Sequence, residues 1–284
     1  MDREPNVKLY ICCHQVSEVP EHPLLVPLQV GSALSDTRFP GFLQDDTGDN
    51  ISVKNRSYCE LTAQYWAWKN AEADYYGFFH YRRYLYPHID AKRPYRVEYC
   101  PTRVLLDKLG YDRFPALIQN YDVILPKGED MHIPVREHYA KAPFHHAHDL
   151  ALIEEIIRYR YPAYAKAMEQ YLSHTVCCFG NIYIMKRERF YDYCTWLFSI
   201  LEEFDRQAQS KDYTAQEQRV DGYLAERLLG IYAGKMRENP SARVLELPRV
   251  HFTNSRARMW EKRAVNQILP PGSCRRAVVK KILR

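Results

Sequence analysis

Residues 57–83 read SYCELTAQYWAWKNAEADYYGFFHYRR and place a helix directly before a buried strand. No Pro or Gly interrupts residues 57–73, where apolar side chains recur at helical spacing: Tyr58, Leu61, Tyr65 and Trp68. Ser57 and Glu60 fit a capping box, so we predict that the helix begins at Ser57. The aromatic run at residues 75–81 has the length of a buried strand and is followed directly by Arg82 and Arg83.

The segments on either side continue this pattern. Residues 7–13 (VKLYICC), 121–126 (YDVILP) and 242–247 are predicted strands, and residues 176–185 (VCCFGNIYIM) are predicted as one strand interrupted by Gly180-Asn181. Residues 24–30 are predicted as an edge strand because Pro27 cannot donate to a central ladder. Helices are predicted at residues 102–120, 150–159, 163–172, 188–206 and 215–233. This alternation predicts an α/β fold with a Rossmann-type, mostly parallel sheet flanked by helices and a helix-rich second half.

The composition of the 284 residues fits one large globular domain, with 46% hydrophobic and 26% charged residues. No apolar stretch approaches the roughly twenty residues that a transmembrane helix needs. The amino terminus lacks the apolar run of a secretory signal, and the eight Cys include no C-x-x-C pair. We therefore expect a cytoplasmic protein with reduced thiols rather than disulfides or a structural zinc site.

The net charge of +5 is concentrated in a basic tail at residues 255–284, after a single domain at residues 1–254. Glu261 is the one acidic residue of the tail, and its basic residues are Arg256, Arg258, Lys262, Arg263, Arg275, Arg276, Lys280, Lys281 and Arg284. The final RRAVVKKILR is typical of a short helix on an anionic membrane surface, and a solvated helical tail is the alternative. Elsewhere both signs of charge are mixed, so no nucleic-acid partner is expected.

The residues that leave each strand are the first candidates for a site, because open α/β sheets bind ligands beyond the carboxyl ends of their strands. The strand at residues 75–81 delivers His80, Tyr81, Arg82 and Arg83. Arg donates two parallel charge-assisted hydrogen bonds to phosphate, so this exit suits a diphosphate ligand. The alternative is an Arg pair in surface salt bridges beside a buried His80.

An acidic loop, DDTGDN at residues 45–50, is the second candidate. Its carboxylates and amide could hold ribose hydroxyls or a divalent cation, through Asp45, Asp46, Asp49 and Asn50. A capped, solvated turn is the alternative interpretation of this loop. The loop lacks the terminal Glu that an EF-hand loop requires.

The third candidate lies where Asn181 interrupts a strand and Arg219, Asp221 and Glu226 follow on a helix. A carboxylate there could remove the proton of an acceptor hydroxyl, and a helix-surface ion pair is the alternative. The cluster HHAHD at residues 145–149 suggests a metal site, although Asp149 also suits a helix cap. The sequence contains no G-x-S-x-G elbow, Walker loop or G-x-G-x-x-G, which argues against hydrolases and the common nucleotide-binding loops.

Five stretches together resemble a bacterial family of capsular or exopolysaccharide biosynthesis proteins, long catalogued as a domain of unknown function and regarded as glycosyltransferases. These stretches are DDTGDNIS, SYCELTAQYWAWKN, GFFHYRRYL, NIYIMKRERFYDYCTWLF and RVDGYLAERLL, and the resemblance covers about residues 7–252. It implies a GT-A-type enzyme whose Rossmann-like half holds the nucleotide diphosphate. The chain departs from the wider GT-A class in having His80-Tyr81-Arg82 where those enzymes usually have an Asp-x-Asp metal motif.

The resemblance implies a hexosyltransferase that moves a sugar from a nucleotide-diphosphate donor to a lipid-linked saccharide of a capsular, exopolysaccharide or O-antigen repeat unit. UDP-galactofuranose or UDP-galactose is the suggested donor, and the inner face of the cell membrane is the expected location. A non-catalytic nucleotide- or sugar-binding scaffold in a polysaccharide assembly complex is the alternative function.

Roles for the candidate residues follow from this implied reaction. Arg82 and Arg83 stabilise the leaving diphosphate with help from His80, and Tyr81 and Arg219 also contact the donor. Asp221 or Glu226 is the expected base, and Asn181 and Asp149 are expected to contact the acceptor. The Arg pair can replace a metal in this scheme, and Mn²⁺ or Mg²⁺ held by the acidic loop is the alternative.

Overall fold

The computed structural model describes residues 4–208 and 212–282. The strands of this part of the chain are β1 Val7–Cys13, β2 Leu25–Gln29, β3 Leu43–Gln44, β4 Tyr75–His80, β5 Arg83–Leu85, β6 Tyr95–Glu98, β7 Val123–Pro126, β8 Glu129–Asp130, β9 Val176–Cys177, β10 Tyr183–Lys186, β11 Val244–Leu247 and β12 Arg249–Phe252. The helices are α1 Asn55–Tyr58, α2 Leu61–Asn70, α3 Arg103–Lys108, α4 Phe114–Ile118, α5 Val135–Lys141, α6 Ala147–Arg160, α7 Ala165–Ser173, α8 Arg187–Gln207, α9 Val220–Arg237, α10 Arg256–Ile268 and α11 Cys274–Ile282.

One sheet of ten strands organises the molecule. Its main path runs β11-β7-β10-β4-β1-β2-β3, and β5, β6 and β12 extend it beside β4. Strands β4, β1, β2 and β3 run parallel to one another, as do β7 and β11. Strand β10 runs antiparallel between β4 and β7. The predicted α/β fold, a mostly parallel sheet flanked by helices, is therefore confirmed.

Side chains alternate along the central strands and build a hydrophobic core on each face of the sheet. On β1, Tyr10 and Cys12 belong to the core that packs against α2 and α5 to α9. Leu9, Ile11 and Cys13 belong to the other core, which packs against α3 and α4. Because both faces are covered, the central strands read as almost continuous apolar runs in the sequence.

The helix predicted at residues 57–73 is broken near its start. α1 ends at Tyr58 and α2 begins at Leu61, because Cys59 between them adopts a positive φ of 51°. The predicted capping box is wrong: Ser57 lies inside α1 and donates its hydroxyl proton to Asp221 of α9, and Glu60 makes no capping hydrogen bond. A contact between distant segments thus overrides the local capping pattern.

Two strand predictions are also corrected. Residues 176–185 form two strands, since Gly180 turns the chain with φ 84° between β9, which pairs with β8, and β10 of the main sheet. β2 lies between β1 and β3 rather than at an edge. Pro27 is tolerated there because β3 pairs only with Leu28 and Gln29.

The basic segment after residue 254 forms α10 and α11. Ser255 caps α10 by accepting a hydrogen bond from the backbone N–H of Arg258. The side chains of residues 280–282 and all of residues 283–284, which end the predicted RRAVVKKILR helix, lie outside the described part of the chain. Within the described part, none of the helices has the length and apolar character required to cross a bilayer.

Candidate active site

A cavity of about 250 Å³ opens where β1 and β4 end, the position at which open α/β sheets hold ligands. His14 follows β1, and Cys59 and Glu60 enter from the junction of α1 and α2. The predicted site residues that meet in its lining are His80, Arg82, Arg83, Asn181, Arg219 and Glu226. The third and first candidate groups of the sequence therefore share one cavity.

Three guanidinium groups line this cavity without a carboxylate partner among the described residues. The Arg83 side chain is largely buried, yet it makes no hydrogen bond or salt bridge to a described residue. Arg82 lies 5.0 Å from the ring centre of Tyr81, and Arg219 donates its Nε–H to Cys59 Sγ at 3.3 Å. Burial lowers the pKa of Arg83, but a guanidinium stays charged at neutral pH. The arrangement favours a multiply charged anion, and the alternative of an Arg pair in surface salt bridges is wrong.

His80 is a neutral donor in this cationic surrounding. Burial, reinforced by Arg83 and Arg82, lowers the pKa of His80 to about 2. Its Nδ1 accepts the backbone N–H of Arg82 at 3.1 Å, so the ring proton lies on Nε2. Nε2 is 3.9 Å from the Glu60 carboxylate. His80 therefore offers the cavity one N–H group and no positive charge.

The carboxylates of Glu60 and Glu226 line the cavity, and they differ in whether their oxygens already accept hydrogen bonds. Glu226 accepts the backbone N–H of Gly180 at 3.0 Å with one oxygen and the Arg227 guanidinium at 2.7 Å with the other. Glu60 has a side chain that is 22% exposed and accepts no hydrogen bond from a described residue. Glu60 is thus the carboxylate of the cavity whose oxygens remain open to a ligand.

Asp221 lies behind the cavity wall. Its side chain is buried and accepts the hydroxyl of Ser57. Burial and the nearby Asp205 carboxylate raise the pKa of Asp221 to about 7. Its other oxygen, Oδ1, has no hydrogen-bond partner among the described residues, but Asp221 is buried and is absent from the cavity lining.

Asn181 and Tyr81 are buried side chains at the cavity. Asn181 is buried and donates its amide to the Gly222 carbonyl at 3.1 Å, while its Oδ1 has no hydrogen-bond partner among the described residues. Tyr81 is also buried, and its ring packs 4.3 Å from that of His80. The orphaned Asn181 oxygen is the polar group of this wall that a ligand could satisfy.

Asp45 of the acidic loop lies outside the cavity lining. Its carboxylate is fully buried and accepts the backbone N–H groups of Gly31 and Ser32 at 2.8 and 2.9 Å. The Ser52 hydroxyl donates to the same carboxylate at 2.6 Å. These bonds join three loops, so Asp45 has a structural role in place of the predicted donor contact.

The other polar residues of the acidic loop also bind the protein itself. Asp46 pairs with Arg38 at 2.6 Å, and Asp49 accepts the Tyr65 hydroxyl at 3.2 Å. Asn50 donates to backbone carbonyls of its own loop. The loop carboxylates therefore do not fit a shared cation site, and no group of three His, Cys, Asp or Glu side chains within residues 4–208 and 212–282 could hold a metal ion.

Asp149 and the histidines before it border the cavity from outside. Asp149 is buried in the first turn of α6 and accepts the Tyr213 hydroxyl at 2.9 and 3.0 Å. His145 stacks on Tyr223 of the cavity wall with ring centres 4.1 Å apart. His146 lies 3.1 Å from the Glu217 carboxylate. The predicted acceptor contact of Asp149 would thus have to act through this aromatic layer.

Sequence reasoning missed Glu60, Cys59 and His14. The capping-box pattern assigns Glu60 to a helix terminus and so hides its position in the cavity. His14 follows β1 directly, and the rule that pointed to His80 would have found it. Cys59 carries no sequence signal of its own, since its strained φ is visible only in the structure.

The fold and the cavity define an α/β protein with a cation-rich ligand site at the carboxyl ends of its central strands. The chain belongs to the family described as Domain of unknown function (DUF4422), whose model matches residues 8–238. The predicted resemblance to a family catalogued in this way is confirmed.

A solved structure of known activity shares this fold. The apo structure of WbbM, a bifunctional glycosyltransferase, is similar to 88% of the chain with 34% sequence identity and a TM-score of 0.83. The chain spans 46% of the WbbM chain, about half of its length. No curated protein matches the chain.

Proposed function

We propose that this protein is a glycosyltransferase of GT-A type that moves a sugar from a nucleotide-diphosphate donor to a saccharide acceptor. The observation that carries the proposal is the convergence of Arg82, Arg83 and Arg219 on one cavity, where none of them pairs with a carboxylate of a described residue. A diphosphate supplies the negative charge that these groups lack. The similarity to a bifunctional glycosyltransferase supports the same assignment.

In the proposed reaction the bond between the sugar's anomeric carbon and the diphosphate oxygen breaks while negative charge grows on the diphosphate. Arg82 and Arg83 stabilise that charge in a partly enclosed site, where electrostatic interactions are strong. The Nε2–H group of His80 donates a further hydrogen bond to the leaving group. Arg219, which also lines the cavity, completes the anion site.

The acceptor hydroxyl forms the new bond to the anomeric carbon and gives its proton to a carboxylate. We assign this base to Glu60, because neither of its oxygens accepts a hydrogen bond from a described residue, whereas those of Glu226 are already hydrogen-bonded. Glu226 then positions Gly180 at the cavity wall. Asn181 contacts the acceptor through its unpartnered Oδ1.

The finer parts of the proposal concern the substrates and the location. We take the enzyme to be a hexosyltransferase, with UDP-galactofuranose or UDP-galactose as the first donors to test. The acceptor is a lipid-linked saccharide of a capsular, exopolysaccharide or O-antigen repeat unit, reached from the cytoplasmic side of the membrane. The three Arg side chains supply positive charge at the diphosphate, so we propose a reaction that does not require Mn²⁺ or Mg²⁺.

A donor screen tests the proposal. Purified protein is mixed with each common UDP-, GDP- and dTDP-sugar, with manganese or with EDTA, and the thermal midpoint and nucleotide release are measured. At least one donor should raise the midpoint and slowly release its nucleotide in the presence of EDTA. Binding without release, with any acceptor tried, would favour the scaffold function, and no binding of any nucleotide would contradict both functions.

Variants then locate the activity. R82A and R83K should weaken donor binding by about 10- to 100-fold, because each loses charge-assisted hydrogen bonds worth about 1.5–3 kcal/mol. E60Q should retain donor binding but slow transfer by at least about 100-fold. The matched controls are R113A and E188Q, which change exposed side chains outside the cavity. Full transfer activity in folded E60Q would show that Glu60 is not the base.

A further inference from the structure

Helix α10 is held rigidly against the sheet by one face. Arg263 donates to the Val97 carbonyl at 2.9 Å and to the Glu98 carboxylate at 2.6 Å, both on β6. Met259 and Asn266 of the same face are buried, each with 8% exposure. The side of α10 that faces away from the sheet is therefore fixed in orientation.

The outward face of α10 is apolar. Residues 257, 260, 264 and 268 follow one another at spacings of three, four and four, which places them on one side of a helix. They are Ala257, Trp260, Ala264 and Ile268, and all four are exposed. Trp260 is 63% exposed, with Arg263 5.3 Å from its ring centre, and Ile268 is 71% exposed. No described residue covers this stripe, although large apolar side chains of a fixed helix normally find a partner.

Exposed cations lie near the apolar stripe. Arg258 of α10 and Arg275 of α11 are exposed, and their side chains form no salt bridge or hydrogen bond with a described residue. Glu261 is the one acidic side chain between residues 255 and 279, and helical spacing places it beside Ala257 and Ala264 of the stripe. A Trp-bearing apolar stripe flanked by unpaired cations complements an anionic lipid surface, where Trp lies at headgroup level and each basic residue adds attraction.

Helix α10 lies close to the cavity along the chain. The backbone N–H of Phe252 donates to the carbonyl of Arg82, a cavity residue, at 2.8 Å. Only four residues lead from Phe252 to the start of α10, a span of at most about 14 Å. A bilayer in contact with α10 would thus lie close to the cavity.

We propose that the outward face of α10 binds the surface of an anionic bilayer, with Trp260 and Ile268 inserted among the headgroups. Arg258 and Arg275 then face the lipid phosphates. The contact holds the cavity beside the membrane and does not depend on which sugar is transferred. It is measured without any donor, so its failure and that of the proposed function are separable.

Vesicle sedimentation tests the contact with the full-length protein. Vesicles of phosphatidylcholine with phosphatidylglycerol should bind the protein, pure phosphatidylcholine vesicles should bind much less, and added salt should weaken binding. The partition coefficient of the double variant W260S/I268S should be more than tenfold lower than that of the wild type. The control V53S/V104S removes two equally exposed apolar side chains elsewhere and should bind like the wild type.

Tryptophan emission provides a second readout. Emission should shift to shorter wavelength on addition of anionic vesicles, and W260F should abolish that shift. Trp66 and Trp196 are already buried, and the half-buried Trp68 stacks on Phe198 at 5.8 Å. Equal binding by W260S/I268S and the control, or no binding to anionic vesicles, would overturn the proposal. So would a dimer, seen by light scattering, that W260S/I268S dissociates without any vesicle binding, since a second copy would then cover the face.

Discussion

Burial has opposite consequences for the two kinds of basic residue at the end of β4. Arg83 keeps its charge because the ordinary pKa of a guanidinium lies far above neutrality. His80 loses its charge because its ordinary pKa of 6.5 is already near neutrality and burial lowers it to about 2. The fixed positive charge of the cavity therefore comes from Arg side chains, and His80 contributes a directed N–H group.

The depressed pKa of His80 predicts a pH-dependent stability. Below pH 6.5 the unfolded chain takes up a proton that folded His80 does not, so the free energy of unfolding should fall as the pH is lowered. The contribution is up to about 1.4 kcal/mol per pH unit. H80N should reduce the slope measured by urea unfolding between pH 6.5 and 5, and H88N, which removes an exposed His, should not.

Other buried groups also make the free energy of unfolding depend on pH, so the slope of H80N has to be compared with that of H88N. Burial also lowers the pKa of His251 to about 2, which adds to the effect of His80. Asp221 acts in the opposite direction, since its raised pKa costs stability as the pH rises from 3.8 to about 7. An unchanged slope in H80N would show that His80 is protonated in the folded protein.

Helices α7 and α9 approach each other unusually closely at a glycine. A Cβ atom on Gly230 of α9 would lie 2.0 Å from the ring of Tyr171 on α7. One turn later, a Cβ on Gly234 would meet Ala167 at 3.8 Å, an ordinary contact. Helix α9 also carries Arg219 and Glu226 at the cavity, so its position against α7 affects the site.

We expect G230A and G234A to change stability in opposite directions. G230A should lower the free energy of unfolding by at least about 1–3 kcal/mol, because the Tyr171 ring must move. G234A should raise it by up to about 1 kcal/mol, because Ala has the higher helix propensity and no clash occurs. Urea unfolding measures both, and equal effects of the two substitutions would show that α7 and α9 are farther apart.

The single sheet joins the two hydrophobic cores of the molecule. Strands β1, β4 and β10 contribute side chains to both cores, so neither can lose its packing without exposing the other. The cavity lies at the end of these shared strands and depends on both layers. This arrangement predicts that the domain unfolds as one unit, although it exceeds the size at which that is usual.

Two probes of urea unfolding check this prediction. In the W260F variant the fluorescence of Trp66, Trp68 and Trp196 reports on the core beside α2 and α8, while far-UV circular dichroism reports on all helices and strands. The two midpoints should coincide. A later circular-dichroism transition would show that the α3 and α4 side remains folded after the other core has opened.

Much of the fold follows from local patterns that survive in any tertiary context. Apolar runs and helical spacing placed β1, β4, β7 and α8 correctly, because the central sheet buries both faces of its strands. The strand-exit rule led to His80, Arg82 and Arg83 for the same reason: where a strand ends is a local property. The boundaries near Cys59 and Gly180 were missed, because a positive φ at Cys59 and the separate pairing of β9 depend on distant segments.

Local sequence patterns did not predict which ionisable side chains are accessible to a ligand. Asp45 and Asp221 look like site residues in the sequence, but backbone amides occupy the oxygens of Asp45. Asp221 is buried, and one of its oxygens is bonded to Ser57, 164 positions away. Glu60 looks like a helix cap and instead faces the cavity. The sequence alone thus determines the residue types and the points at which strands end. The protonation and accessibility of a carboxylate are decided by the tertiary structure, because the remote groups that bury it and bond to it come together only when the chain folds.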